Sequence, residues 1–162
     1  MKQNILLLIV VLFLGSCSTS KQTKKNTPVT IDQQMLNNAI EKTINELVAG
    51  QWMSDFMTKK NERPTITTSR IINNANVIID NNFIHNVIDM SLINTGQSRV
   101  LKSTENQRLL SPLELSQIES IDYVISTTIQ PAKKSSSNPV IELSIWDKEA
   151  SKSLFTVSNP IE

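Results

Sequence analysis

A chain of 162 residues with 16 basic and 15 acidic side chains carries a formal net charge of +1, too small a basic excess for a nucleic-acid binder that must displace counterions. One cysteine and one histidine exclude a disulfide framework and a structural zinc site, each of which needs several ligands. Three glycines, none between Gly50 and Gly96, exclude a glycine-rich loop of the kind that cradles phosphate.

The chain opens on Met1 and Lys2, then runs through the apolar stretch "ILLLIVVLFLG", Ile5 to Gly15. These are the charged and hydrophobic regions of a secretory signal, and 11 residues are too few to span a bilayer comfortably. The stretch ends in "LGSC", Leu14 to Cys17, which resembles the lipobox of bacterial lipoproteins. Cleavage ahead of Cys17 frees a thiol for diacylglycerol, with palmitate among the acyl chains expected. Residues 1–16 are thus expected to be a lipoprotein signal peptide. Each buried methylene adds about 0.8 kcal/mol, so several chains hold a protein firmly to a membrane. The remaining 146 residues suffice for one domain with a core of its own.

Residues 17–30 are expected to be the lipidated cysteine and a flexible tether, since "STSKQTKKNTPVT" is polar and aperiodic. Thirteen residues reach at most roughly 45 Å when fully extended. Lys21, Lys24 and Lys25 stand beside the lipid, where each gains about 1 kcal/mol at an anionic surface.

Residues 31–162 are expected to be one globular domain. In "TIDQQMLNNAIEKTINELVAG" the apolar residues Ile31, Met35, Leu36, Ala39, Ile40, Ile44, Leu47 and Val48 recur at steps of three and four, which predicts an amphipathic helix. Thr30 or Asp32 is placed to cap it, and Gly50 to stop it. "QWMSDFM" sets Trp52, Met53 and Phe56 within one helical turn, as a packing lid over a core edge. "KKNERP" is a turn. Thr65 to Ile72 reads as a strand, central in its sheet, and "NNAN" as a loop in which the Asn73 side chain ties to the backbone as an Asx turn does. Asp80 caps a second helix that buries Phe83, Ile84, Val87, Ile88 and Leu92 and ends at Gly96. His85 falls on the flank of that stripe, as a partly exposed histidine.

"SRVLKS" predicts a short strand, and "SPLELSQIES" a third helix with Ser111 as cap and Pro112 at its first position. "KKSSSNP" is a loop. "DYVISTTIQ", "NPVIELSIWD" and "SKSLFTVSN" read as three strands, the last two a hairpin turning at Asp147–Lys148–Glu149–Ala150. The fold class is α/β (α+β), a single sheet of four to five strands with helices packed on it. The acids Asp80, Asp89, Glu114, Glu119, Asp122 and Asp147 are spread over helices, turns and strand ends, which gives no convergent pair. No catalytic residue, metal ligand or cofactor is expected, and the chain reads as a binder.

"LVAGQWMSDFMTKKNERPTITTSRIINNANVIIDNNFIHNVIDMSLINTG", followed by "RVL" and "NQRL", resembles the penicillin-binding-protein activator lipoproteins of the LpoB type. The likeness rests on Trp52 in a helix end that leads to Arg63–Pro64, the apolar strand from Ile66 to Asn73, the helix start at Ile79–Asp80 and the helix end Leu92–Ile93–Asn94–Thr95–Gly96. "DYVISTTI" and the final hairpin extend it over nearly all of residues 31–160. Four features depart from the pattern. Ala75 stands where threonine is usual, Ser126 where glycine is common and Phe155 where tryptophan often closes the hairpin, and the stretch before "DYV" is short.

The resemblance implies a monomeric regulator without enzymatic activity of its own, lipid-anchored at the periplasmic face of the outer membrane, that docks on a bifunctional peptidoglycan synthase and stimulates it. The inner membrane is the other candidate site. Cys17 would carry the lipid, and Trp52, Phe56, Asn73, Asn74 and Asn76 are the candidate partner contacts. Other readings are a secretion-assembly subunit of related fold and a structural envelope lipoprotein, neither of which would change a synthase's rate.

Overall fold

The computed structural model describes residues 29–132 and 138–162. The signal segment, Cys17, tether residues 18–28 and most of the "KKSSSNP" loop lie outside the described residues.

The chain enters through β1 (Val29–Thr30), so the last two residues assigned to the tether belong to the fold. Helix α1 (Gln33–Val48) starts where the Asp32 carboxylate accepts from the amides of Gln34 and Met35 at 2.8 and 3.1 Å. Its predicted stripe is buried from Leu36 through Val48, but Met35 is 48% exposed. Gly50 does not stop α1 as expected. It is extended, with φ −66°, and begins α2 (Gln51–Lys60). A Cβ at this position would stand 2.8 Å from Trp52 Cδ1 and 3.1 Å from the Leu47 carbonyl oxygen. The glycine permits the two helices to meet closely, and the Trp52 indole donates to that carbonyl at 2.7 Å.

After Asn61, whose φ of 55° caps α2, come β2 (Thr65–Asn73) and the corner at residues 74–76. β3 (Val77–Ile78) pairs in parallel with β1, Val29 opposite Val77. Neither two-residue strand was expected. α3 (Asn81–Thr95) starts where Asp80 accepts from the amides of Asn82 and Phe83, and it ends at Gly96 with φ 64°, both as predicted. β4 (Arg99–Val100) and a 3₁₀ turn (Gln107–Leu109) lead to α4 (Pro112–Leu115). α4 has the expected Ser111 cap, reinforced by Glu114 reaching back to the Ser111 amide at 2.7 Å, yet it is a single turn. The chain leaves the helix there, and this lets Ile118 and Ile121 join Leu115 over one patch of sheet.

β5 (Tyr123–Gln130), β6 (Val140–Asp147) and β7 (Lys152–Pro160) complete a five-stranded mixed sheet in the order β4-β2-β5-β6-β7. β5 is its centre, and β2 lies one place out, beside the short edge strand β4. The predicted hairpin joins β6 and β7, its turn closed by Asp147 accepting from the Glu149 and Ala150 amides. Alternation along the strands separates two layers. Tyr123, Ile125 and Ile129 of β5 and Ile141, Leu143 and Ile145 of β6 face the main core with Ile40, Ile44, Leu47, Ile84, Ile88 and Leu92. On the other face Val124 packs with Leu115, Ile121 and, partly buried, Trp146. α1 lies on α3, β6 and β7, and α3 on β2, so both long helices cover the same face of the sheet.

Candidate functional site

The expected contact residues fall at opposite ends of β2. At its start, the Thr65 amide donates to the Asp122 carboxylate at 2.8 Å, and Asp122 borders a groove of about 570 Å³. At its end stand Asn73, Asn74 and Asn76. The eight steps from Thr65 to Asn73, at about 3.3 Å each, separate these two places by roughly 26 Å, so they do not form one surface.

The groove is built from aromatic packing upward. Trp52 and Phe56 project from α2 onto the Tyr123 ring, with centroids 5.0 and 5.5 Å away and both contacts edge-to-face. Both are buried, at 6% and 8% exposure, so the packing lid read from the sequence is what they make. They form the floor of the groove, and its outer surface comes from charged neighbours. Among the lining residues, Asp55, Glu119, Asp122, Asp147 and Glu149 outnumber Lys59, Lys60 and Lys148. Lys59 pairs with Glu149 at 3.6 Å, and the Lys148 ammonium donates to the Ile118 carbonyl at 3.0 Å. The acid excess converges on the Tyr123 hydroxyl. Burial raises its pKa to about 12, with Asp147, Asp122, Glu149 and Asp55 adding to the effect in that order.

The asparagine corner is closed by its own bonds. Asn73 Oδ1 accepts from the Ala75 amide at 3.1 Å and its Nδ2 donates to the Val77 carbonyl at 2.8 Å, the tie predicted for it. Both polar ends of the Asn73 side chain are thus used within the corner, while the residue itself is exposed. Asn74 is exposed, its amide bonded to the Ile129 carbonyl and its side chain reaching Gln130 at 3.5 Å. Asn76 is exposed with φ 37°, a conformation that asparagine tolerates better than most residues.

Two further residues escaped sequence reasoning. His85, expected at a half-exposed flank, is 2% exposed, and its Nδ1 shares a 2.9 Å hydrogen bond with Thr68 Oγ1. Burial, then the charge of Arg108, lowers its pKa to about 4, so the ring is neutral near pH 7. One turn on, Asp89 is 6% exposed and neither carboxylate oxygen has a hydrogen-bond partner among the described residues. Burial raises its pKa to about 6 despite the opposing charges of Arg108 and Lys102. The helical spacing of four could have paired His85 with Asp89 on one face, but nothing local marks that face as buried. Among the described residues no three histidines, cysteines or acids are grouped so as to hold a metal ion, and no helix is long and apolar enough to cross a membrane.

Residues 35–146, from the first turn of α1 almost to the end of β6, match the family model described as peptidoglycan-synthase activator LpoB. The LpoB C-terminal domain from Escherichia coli superposes with a TM-score of 0.60 at 8% identity, covering 78% of this chain and 97% of that one. The corresponding domain from Salmonella enterica gives 0.56 at 11% identity, over 76% and 96%. The NMR structure of E. coli LpoB gives 0.51 at 10% identity, over 90% and 76%. At such identities the structural likeness is one of fold. No curated protein matches by sequence.

Proposed function

This chain belongs to the LpoB family of peptidoglycan-synthase activators, and on that footing we propose that it is a lipid-anchored envelope regulator that binds a bifunctional peptidoglycan synthase of the penicillin-binding type and raises its activity. The observation that carries the reading is the family match across α1 to β6. The "LGSC" sequence at Leu14–Cys17 supports an acyl anchor on Cys17 after removal of residues 1–16, and hence a periplasm-facing place on the outer membrane. The globular domain begins near Val29, and it acts as a monomer.

Activation proceeds by differential binding: the regulator holds the synthase's working conformation more tightly than its resting one. Each tenfold shift between the two requires about 1.4 kcal/mol of difference, within reach of a few well-placed contacts.

The contact surface is the groove over Trp52, Phe56 and Tyr123. Its excess of carboxylates suits a basic segment of the synthase, whose side chains could lay their apolar stems towards the aromatic floor. Placement relative to the anchor supports this choice. The tether enters at β1, which lies on β3, directly after the asparagine corner. The corner is therefore the tether-proximal end of the domain, and the groove, at the other end of β2, points away from it. Asn74 and Asn76 are the secondary contacts.

Full-length lipoprotein in detergent is used to capture the synthase, and glycan polymerisation by the captured enzyme is measured with and without it. Stimulation that Asp55→Lys and Glu149→Lys together abolish is the expected result. No synthase captured, or an unchanged rate, overturns the reading; stimulation that survives both substitutions overturns the choice of surface.

A further inference from the structure

We propose that the cavity between β2, the first turns of α3 and the 3₁₀ turn binds a small oxyanion, a carboxylate or phosphate group, held by Arg70, Arg108 and His85. The cavity measures about 420 Å³ and is lined by these three residues with Ile71, Asn82 and Glu105 among others. It is separate from the groove at the far end of β2.

The backbone builds it. The pairing of β2 with β5 shifts register between Thr68 and Ile71, a bulge that takes Arg70 out of strict strand alternation. The Arg70 amide donates instead to the Leu110 carbonyl at 2.9 Å, which ties the bulge to the end of the 3₁₀ turn carrying Arg108. Two guanidinium groups thus border one cavity, and neither forms a salt bridge among the described residues, although Asp89 faces Arg108 and Glu114 faces Arg70 at longer range. The salt bridges among the described residues are Lys59–Glu149 and Arg99–Glu62.

Arg108 is only partly satisfied. Its Nη1 donates to Asn82 Oδ1 at 2.9 Å and its Nη2 to Asn86 Oδ1 at 3.4 Å, both neutral acceptors, while its buried Nε has no acceptor among the described residues. A buried guanidinium N–H without an acceptor is costly, and an oxyanion is the acceptor such a group matches best. His85 supplies a second buried group at the cavity. With Nδ1 committed to Thr68, Nε2 is the ring nitrogen left for a ligand. When the Thr68 hydroxyl donates to Nδ1, Nε2 carries the proton and can donate to the anion.

The helix N-terminus adds nothing here, because Asp80 already occupies the amides of Asn82 and Phe83. Glu105, exposed at the rim, opposes an anion and sets the affinity low.

The test uses the full mature chain. His85 is the only histidine, so its ring Cε1–H resonance needs no assignment. Sodium phosphate and sodium acetate are titrated separately at pH 7, with ionic strength held constant by sodium chloride. Saturable displacement of the resonance by either anion is expected, with half-saturation on the order of 1 mM, the scale of a single well-made anion contact. Whichever anion saturates at the lower concentration identifies the preferred group. Arg70→Gln, an exposed change that spares the core, should weaken the midpoint at least tenfold, and Glu105→Gln should tighten it about threefold. No displacement with either anion overturns the proposal. So does a response equal to that of chloride, or one that Arg70→Gln leaves unchanged.

Discussion

Replacing His85 or Asp89 singly should expose two pH dependences of stability that cancel in the native chain. The Asp89 carboxyl goes from 3.8 in the unfolded chain to about 6 in the fold, and the His85 imidazole from 6.5 to about 4. A raised acid keeps its proton longer when folded, so the Asp89 contribution falls as pH rises from about 4 to 6. A lowered base refuses its proton when folded, so the His85 contribution falls as pH drops from 6.5 to about 4. Between these limits the unfolded chain holds His⁺ and Asp⁻ while the fold holds neutral His and protonated Asp. The proton count is equal, and the two slopes oppose each other. Arg108 and Lys102 are the cations facing Asp89, and Arg108 also faces His85. Each shift of about two units sets a ceiling of about 3 kcal/mol, and solvent screening at the neighbouring cavity reduces this to about 2 kcal/mol. His85→Asn retains a bond to Thr68 and should lose about 2 kcal/mol of stability as pH rises from 4 to 6. Asp89→Asn should gain about as much from pH 4 to 6.5, and should exceed the native chain by about 2 kcal/mol at pH 7.5. Urea unfolding at four pH values and constant ionic strength measures all three. Profiles for both variants parallel to the native one, or two slopes of the same sign, would refute the reasoning.

Gly50→Ala should destabilise the fold by about 1–3 kcal/mol by pushing the new Cβ into the Trp52 ring, seen as a lower urea midpoint and a changed Trp52 fluorescence. Asn73→Ala should cost about 1–2 kcal/mol, because the Ala75 amide and the Val77 carbonyl both lose their partner, and hydrogen exchange should quicken at residues 74–78 while α1 stays protected. Cys17→Ser should move the protein from the membrane to the soluble fraction without changing its unfolding curve, and an unmodified native Cys17 in mass spectrometry would refute the anchor.

What was legible in the sequence was what neighbouring residues decide among themselves. Asp32 and Asp80 announce their helices because a short side-chain oxygen satisfies amides two and three residues ahead. Asn73 was readable for the same reason: its partners, Ala75 and Val77, lie within four residues. β5 and β6 were readable as strands, since Ile125, Ile129, Ile141, Leu143 and Ile145 carry an apolar beat. The failures, Gly50 apart, involve partners far along the chain. β1 and β3 are two residues each and exist only because they meet across some 48 positions, a pairing with no local signature. Gly50 looks like a helix stop, and only the approach of Trp52 to the Leu47 carbonyl reveals it as a clearance between two helices. His85 is the sharpest case. A histidine beside a buried stripe is half exposed unless something closes over it, and here Thr68 on β2 and Arg108 from the 3₁₀ turn do so. The same closure buries Asp89, raises its pKa and brings Arg70 and Arg108 to one cavity. One non-local event, the folding of residues 101–110 against β2 and α3, thus created both the titrating pair and the cavity beside it. Loosening that segment should therefore restore both pKa values towards ordinary and abolish anion binding together, whereas substitutions in the groove around Tyr123 should leave both unchanged.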